Sequence, residues 1–331
     1  MSANDSPLMS MLLITYNQER YVRDAVRGAL AQTYTPLEIV ISDDGSVDGT
    51  FREIQRELET YTGPHRIILN RNPRNLGISG HLGSLWPRVA GELVFVAAGD
   101  DISAPERCEK VARYWLAHGC QPDLIATDLA TLDSAGRTGG RVVVEDLDGY
   151  RNVEAWFAHQ PRVVGAAHVW SRRLMQAFPP LPAGSWEDQL MVFRAVLAGG
   201  AAVLHEPLVL YRDGGQSAAR RAYTAAQVAQ RLLANSARAR VEIPQMIRDA
   251  ESVGAGDKVA EHCGAKLARE TFVHAMLTAP DLREKLRLLF ARFAAPVAAA
   301  VRVRVFVYAA CPVLLSPLFF FKRRLARCVQ V

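Results

Sequence analysis

The chain has 331 residues, half of them apolar and 22% charged, which suits one large folded domain with an appendage and excludes a disordered chain. Its formal charge of +5 is local: residues 281–331 hold ten Lys and Arg against Asp281 and Glu284, while the rest of the chain holds 29 bases against 32 acids. Basicity confined to the tail, without interleaved aromatics, argues against nucleic acid as a partner. Cys108, Cys120, Cys263, Cys311 and Cys328 are odd in number and scattered, so neither a disulfide framework nor a zinc site is expected, and a reducing cytoplasm is. Residues 1–10 have no basic n-region and no long apolar stretch, so no signal peptide is expected.

Residues 9–15 read as a first strand, followed by helical spacing at Tyr21, Val22, Ala25, Val26, Ala29 and Leu30 with Asn17 as N-cap and Glu19 in the first turn. Leu37 to Ser42 reads as a second strand, running into Asp43-Asp44-Gly45-Ser46. Thr50 and Glu53 have the spacing of a capping box for the next helix. A third strand is predicted at 66–70, then a turn at Asn75-Leu76-Gly77 and a helix over 78–90 that Pro87 stops or kinks. The apolar run 93–98 is a fourth, buried strand ending in Gly99-Asp100-Asp101. Adjacent aspartates repel, and a divalent cation with oxygen ligands, Mg²⁺ or Mn²⁺, is the common reason for holding them together.

This alternation argues a doubly wound, mostly parallel α/β sheet, in which ligands bind beyond the carboxyl ends of the strands. The loops at 15–17, 43–46 and 99–101 all fall at that edge. Further along, strands are expected near 123–144, 165–170 and 203–211, and Ser185-Trp186-Glu187-Asp188 opens an apolar helix. Ala- and Arg-rich helix follows over roughly 221–300, so the expected division is 1–220, 221–300 and 301–331. Val305 to Phe321 carries no charge and lies between Arg302/Arg304 and Lys322-Arg323-Arg324. With Pro312 and Pro317 inside it, the run suits an interfacial or re-entrant anchor better than a bilayer-spanning helix, and a buried C-terminal helix is the alternative. Of the eight histidines, His81 and His168 are the candidates to approach the site.

Ile14-Thr15-Tyr16-Asn17, Ala31-Gln32-Thr33-Tyr34, the stretch from Asp43 to Thr50, Asn75-Leu76-Gly77, Gly91-Glu92, Gly99-Asp100-Asp101 and Trp186-Glu187-Asp188 occur in an order and spacing that resembles the family 2 glycosyltransferases over about residues 8–215. The resemblance implies the GT-A fold, a nucleotide-binding αβα sandwich, with a helical C-terminal extension here, and transfer with inversion at the sugar's anomeric carbon. It implies that Thr15, Tyr16, Asn17 and Glu19 line the base and ribose pocket of a nucleotide-sugar donor, that Asp44 meets the base with Asp43 supporting it, and that Asp100 faces ribose or sugar hydroxyls. Asp101 would ligate the Mg²⁺ or Mn²⁺ on the diphosphate, and Asp188 would be the general base for the acceptor hydroxyl. Many relatives carry a histidine after the strand at 203–211, and Arg212 to Gln216 contains none. The Trp of the processive synthases' Gln-x-x-Arg-Trp motif is missing after Gln216, which implies one sugar added per encounter.

The resulting expectation is a metal-dependent sugar transferase of cell-surface polysaccharide biosynthesis, acting on a glycan or lipid-linked acceptor, cytoplasmic and at the inner face of the plasma membrane through a peripheral C-terminal contact. A non-catalytic nucleotide-sugar-binding or membrane scaffold protein and a sugar nucleotidyltransferase are the alternatives.

Overall fold

The computed structural model describes residues 6–212 and 224–312. Strands β1 (Met9–Thr15), β2 (Leu37–Asp43) and β4 (Leu93–Ala98) are buried almost throughout, as continuous apolar runs require when helices cover both faces of a sheet. They pair in parallel, in the order β3 (Arg66–Arg71), β2, β1, β4, and the exposed β3 forms the edge. Helix α1 (Val22–Leu30) lays Val22, Ala25, Val26 and Ala29 on this sheet beside Val111, Ala112 and Trp115 of α4 (Arg107–Ala117).

Beyond β4 the sheet changes direction. β8 (His168–Ser171) is antiparallel to both β4 and β6 (Leu124–Leu132), and β9 (Ala201–Arg212) returns parallel to β6. The two-residue β5 (Ile102–Ser103) closes that edge antiparallel to β9, and β7 (Thr138–Val142) pairs with β6. The parallel half follows the alternation read from the sequence, and the mixed half does not. Short connections such as the turn from β6 into β7 form hairpins, which are antiparallel by construction.

Two helix entrances differ from the sequence reading. Helix α1 starts at Val22, not after Asn17; Asn17 adopts a left-handed φ of 50° in the preceding loop. Helix α2 (Thr50–Glu59) is capped by Asp48, whose Oδ1 accepts the Thr50 N–H at 3.0 Å, while Thr50 Oγ1 accepts the Gln18 N–H at 2.7 Å. Helix α3 (Gly77–Leu85) gives way to a 3₁₀ turn at Trp86–Arg88, where Pro87 lies.

The chain divides into two compact units, Met1–Ala218 and Ala219–Val331. After α5 (Val153–Ala158), α6 (Arg172–Ala177) and α7 (Glu187–Leu197), the second unit is helical: α8 (Ala225–Glu251), α9 (Gly256–Thr278), α10 (Leu282–Phe290) and α11 (Ala299–Ala310). Its core gathers Phe272, Val273 and Met276 of α9, Leu288 of α10 and Val305 of α11. The charge-free run at 305–321 thus begins inside a folded core, and residues 313–321 of it lie outside the described residues, as does the turn at 213–221.

Candidate active site

Register brings the three loops together. Thr15 stands opposite Asp43 and Ile14 opposite Ala98, so β1, β2 and β4 end side by side. The Asp44 N–H donates to the Thr15 carbonyl at 2.8 Å and the Gly99 N–H to the Ile14 carbonyl at 3.0 Å. Gly99 is required by proximity: a Cβ there would stand 2.4 Å from Gln18 Oε1 and 2.6 Å from Thr15 Cγ2.

A cleft of about 260 Å³ opens over these strand ends, lined among others by Thr15, Tyr16, Asp44, Ile78, His81 and Asp100. A second hollow of about 210 Å³ shares Ile14, Ile78, Ala98 and Asp100 with it and adds Asp101, Glu187, Asp188 and Arg212. Asp100 therefore stands where the two meet. Asp188, in the first turn of α7, faces the same hollow, and its Oδ1 accepts the Gln189 N–H at 2.7 Å.

Asn17, Glu19 and Asp43 stand outside both linings and build the loops behind them. The Asn17 N–H donates to Ser46 Oγ at 2.8 Å, and Asn17 Oδ1 accepts the Val47 N–H at 3.0 Å. Glu19 accepts the Gly49 N–H at 3.0 Å and pairs with Arg52 at 3.2 Å. Asp43 is fully buried, accepts from the Ser46 N–H and hydroxyl, and lies 3.3 Å from Arg71 Nε. Asp44 lines the cleft, with its carboxylate already accepting Asn72 Nδ2 at 2.7 Å and the N–H groups of Leu76 and Gly77 at 2.9 and 3.0 Å. It thereby fixes the entrance of α3, which carries His81.

Electrostatics separates the two acids at the end of β4. Burial, and then the neighbouring Asp100 carboxylate, push the Asp101 carboxyl up to about 7, against the pull of Arg212 and Arg107. Arg107 is wholly buried; it donates to Ser103 Oγ and the Ala166 carbonyl at 3.0 Å each, and burial pushes its own guanidinium down to about 10. A carboxyl so placed fits a hard cation, since added positive charge relieves both penalties. Among the described residues, however, no three His, Cys, Asp or Glu side chains are arranged to hold a metal ion.

The sequence reading passed over two cations, and of its two candidate histidines one lines the cleft. Arg212 and Arg107 were invisible because an arginine in a strand or helix ordinarily reads as surface. His81 lies on the cleft floor, Nε2 2.6 Å from Ser42 Oγ, and burial holds it below the ordinary histidine range despite Asp44 and Asp43. His168 does not reach the cleft; fully buried beside Arg107, it is pushed down to about 3 and is a neutral core residue.

The fold is of the GT-A class. The mannosyltransferase PcManGT from Pyrobaculum calidifontis, solved with GDP-Man and Mn²⁺, superposes with a TM-score of 0.51 and 16% identity, covering 95% of this chain and 88% of its own. Residues 10–134 match the Glycosyl transferase family 2 profile. It is 28% identical over 140 residues to the putative glycosyltransferase EpsE of Bacillus subtilis (42% of this chain, 49% of EpsE). It is 29% identical over 220 residues to the uncharacterized glycosyltransferase alr2836 of Nostoc sp. (62% of this chain, 65% of alr2836). The matches thus span 49% and 65% of the length of these relatives.

Proposed function

We propose that the chain is an inverting glycosyltransferase that moves a sugar from a nucleotide-diphosphate donor to a hydroxyl of a glycan or lipid-linked acceptor in cell-surface polysaccharide biosynthesis. The observation that carries this reading is the single hollow lined by Asp100 and Asp101 together with Asp188. Direct displacement at an anomeric carbon needs a stabilised leaving group on one face and a proton acceptor on the opposite face.

In this reading the nucleoside occupies the cleft over Thr15, Tyr16 and His81, with Tyr16 beside the base, and Asp100 meets donor hydroxyls where the cleft joins the hollow. Asp101 would hold Mg²⁺ or Mn²⁺, which when bound offsets the charge of the departing diphosphate. Asp188 accepts the proton of the attacking hydroxyl. It lies in the first turn of α7, its Oδ1 accepts the Gln189 N–H, and it lines the hollow. Asn17, Glu19 and Asp43 act on the donor indirectly, by fixing the loops that line the cleft. Peripheral membrane contact belongs to the same reading; among the described residues no helix is long and apolar enough to cross a bilayer.

The test is nucleoside diphosphate release from a panel of nucleotide sugars with Mn²⁺ or Mg²⁺, for the wild type and Asp188→Asn. Asn cannot take the proton, so turnover should fall by at least about a hundredfold while donor binding persists. Undiminished turnover would remove Asp188 from the role. Failure of every nucleotide sugar to bind would refute the donor assignment.

A further inference from the structure

Helix α10 is nine residues long and is held at both ends. The Asp281 side chain caps its start by accepting the Glu284 N–H at 2.8 Å. At its other end Arg302 of α11 donates to the carbonyls of Leu289 and Ala291, at 2.8 Å each, and stacks its guanidinium over Phe272 and Phe293 at 5.4 and 5.5 Å. Leu288 is buried and Leu289 packs against the same core, so the inward face is set.

What remains outward is unusual. Leu282, Leu286 and Phe290, spaced by four, form one row and stay 56, 45 and 86% exposed. The row is about 12 Å long. A water-soluble surface rarely lines up three large apolar side chains when the same helix could turn them inward. Here the caps and the Arg302 clamp prevent that rotation. Arg283 and Arg287 form a second row directly beside the first, since residues four apart share a face. Arg287 is held along the helix by Glu284 at 2.8 Å.

A lipid-facing ridge beside a basic ridge is the geometry of a helix lying in the interface of an anionic bilayer. Charge decides against a second copy as the occupant. Residues 281–304 carry six Arg and Lys against Asp281 and Glu284, so a symmetric contact would press like charges together. We infer that α10 is a membrane-docking helix that places Leu282, Leu286 and Phe290 among the acyl chains of an anionic leaflet, with Arg283 and Arg287 at its phosphates. This deepens the peripheral-membrane part of the proposed function and rests on nothing in the donor site.

The experiment is flotation of the full chain with vesicles of phosphatidylcholine, alone or mixed with phosphatidylglycerol. The wild type should float with the mixed vesicles, and Leu286→Glu/Phe290→Glu should lower its partition at least about tenfold. Arg283→Gln/Arg287→Gln should lower binding to mixed vesicles and remove most of its salt dependence. Circular dichroism melts matching the wild type certify that each variant is folded; should the glutamate pair misfold, the glutamine pair carries the test alone. Wild-type binding that both variants retain, or no wild-type binding, would overturn the inference. So would a wild-type dimer in solution that the glutamate pair converts to monomer. Loss of sugar transfer in any donor-site variant leaves the flotation result unaffected, so the two readings fail separately.

Discussion

The backbone N–H of Arg212 donates to Asp101 Oδ1 at 2.8 Å, joining the last residue of β9 to the turn after β4. The Arg212 side chain completes the clamp: Nε donates to the Asp100 carbonyl at 2.9 Å, and the guanidinium lies 4.4 Å from the Tyr21 ring centre and 3.4 Å from Asp24. One arginine thus fixes both acids of the doublet, Asp101 at its carboxylate and Asp100 at its backbone carbonyl, and both residues line the hollow. In sequence it appears only as the end of a strand without a histidine after it.

Arg212→Ala should therefore act on both stability and turnover. The Asp100 carbonyl loses its donor and Asp101 loses a compensating charge, at a cost of about 1–3 kcal/mol in urea denaturation. Turnover should fall by about tenfold or more, with a larger effect at low Mn²⁺ than at saturation. Arg212→Lys keeps the charge but not the geometry at the carbonyl, and should recover stability only in part. An alanine variant with wild-type urea midpoint and wild-type Mn²⁺ dependence would contradict the clamp.

Asp101 offers a pH test in metal-free protein. Its carboxyl is pushed up from 3.8 to about 7, so the folded chain holds the proton more tightly than the unfolded one. The associated stability is present below about pH 4 and is lost as pH rises through about 7, an upper bound of about 4 kcal/mol. Asp101→Asn should consequently be more stable than the wild type at pH 8 and show a flatter profile between pH 4 and 7. Adding Mn²⁺ at pH 8 should raise the melting temperature of the wild type and leave the variant unmoved. A variant no more stable than wild type at pH 8 would show that Asp101 is not under this strain.

Much of the candidate site was legible because strand ends are local. Apolar runs at 9–15, 37–42 and 93–98 identify three parallel strands, and topology alone then places the Thr15, Asp44 and Asp100 loops at one edge. Division of labour inside a loop was less legible. Asp43 and Asp44 are adjacent and chemically identical, yet one is buried against Ser46 and Arg71 while the other lines the cleft. Strand alternation sends neighbouring side chains in opposite directions, and nothing in composition says which direction is the cleft. The mixed half of the sheet depended on pairings between distant segments, such as β8 with β4 and β6, which no local period encodes.

Gln32 illustrates a motif residue whose work is structural. Its Nε2 donates to the carbonyls of Gly28 and Ala104 at 2.9 and 2.8 Å, and its Oε1 accepts the Cys108 N–H at 3.0 Å. One buried amide thus joins the end of α1 to the start of α4. Gln32→Leu leaves those three groups without partners and should cost about 2–4 kcal/mol in denaturant titration. Nucleotide affinity well below the melting temperature should stay within about twofold of the wild type. A selective loss of affinity, without loss of stability, would reassign Gln32 to the ligand site.

His81 gives the sharpest test of the cleft as a nucleoside site. Ser42 Oγ accepts from Asn70 Nδ2 at 2.9 Å and lies 2.6 Å from His81 Nε2, so the imidazole is part of a buried network under the cleft. Burial holds its titration below the ordinary 6.5, so the unfolded chain takes up the proton first on acidification. Stability from this source is present above pH 6.5 and is lost as pH falls through the lower folded value. His81→Phe fills a similar volume, removes that proton linkage and leaves Ser42 and Asn70 to rearrange. Its stability should decline less steeply than the wild type below pH 6.5, while affinity for a nucleoside diphosphate should drop about tenfold at pH 7.5. Calorimetric titration measures the second effect directly. Unchanged affinity would place the nucleoside elsewhere along the trough, toward Asp188.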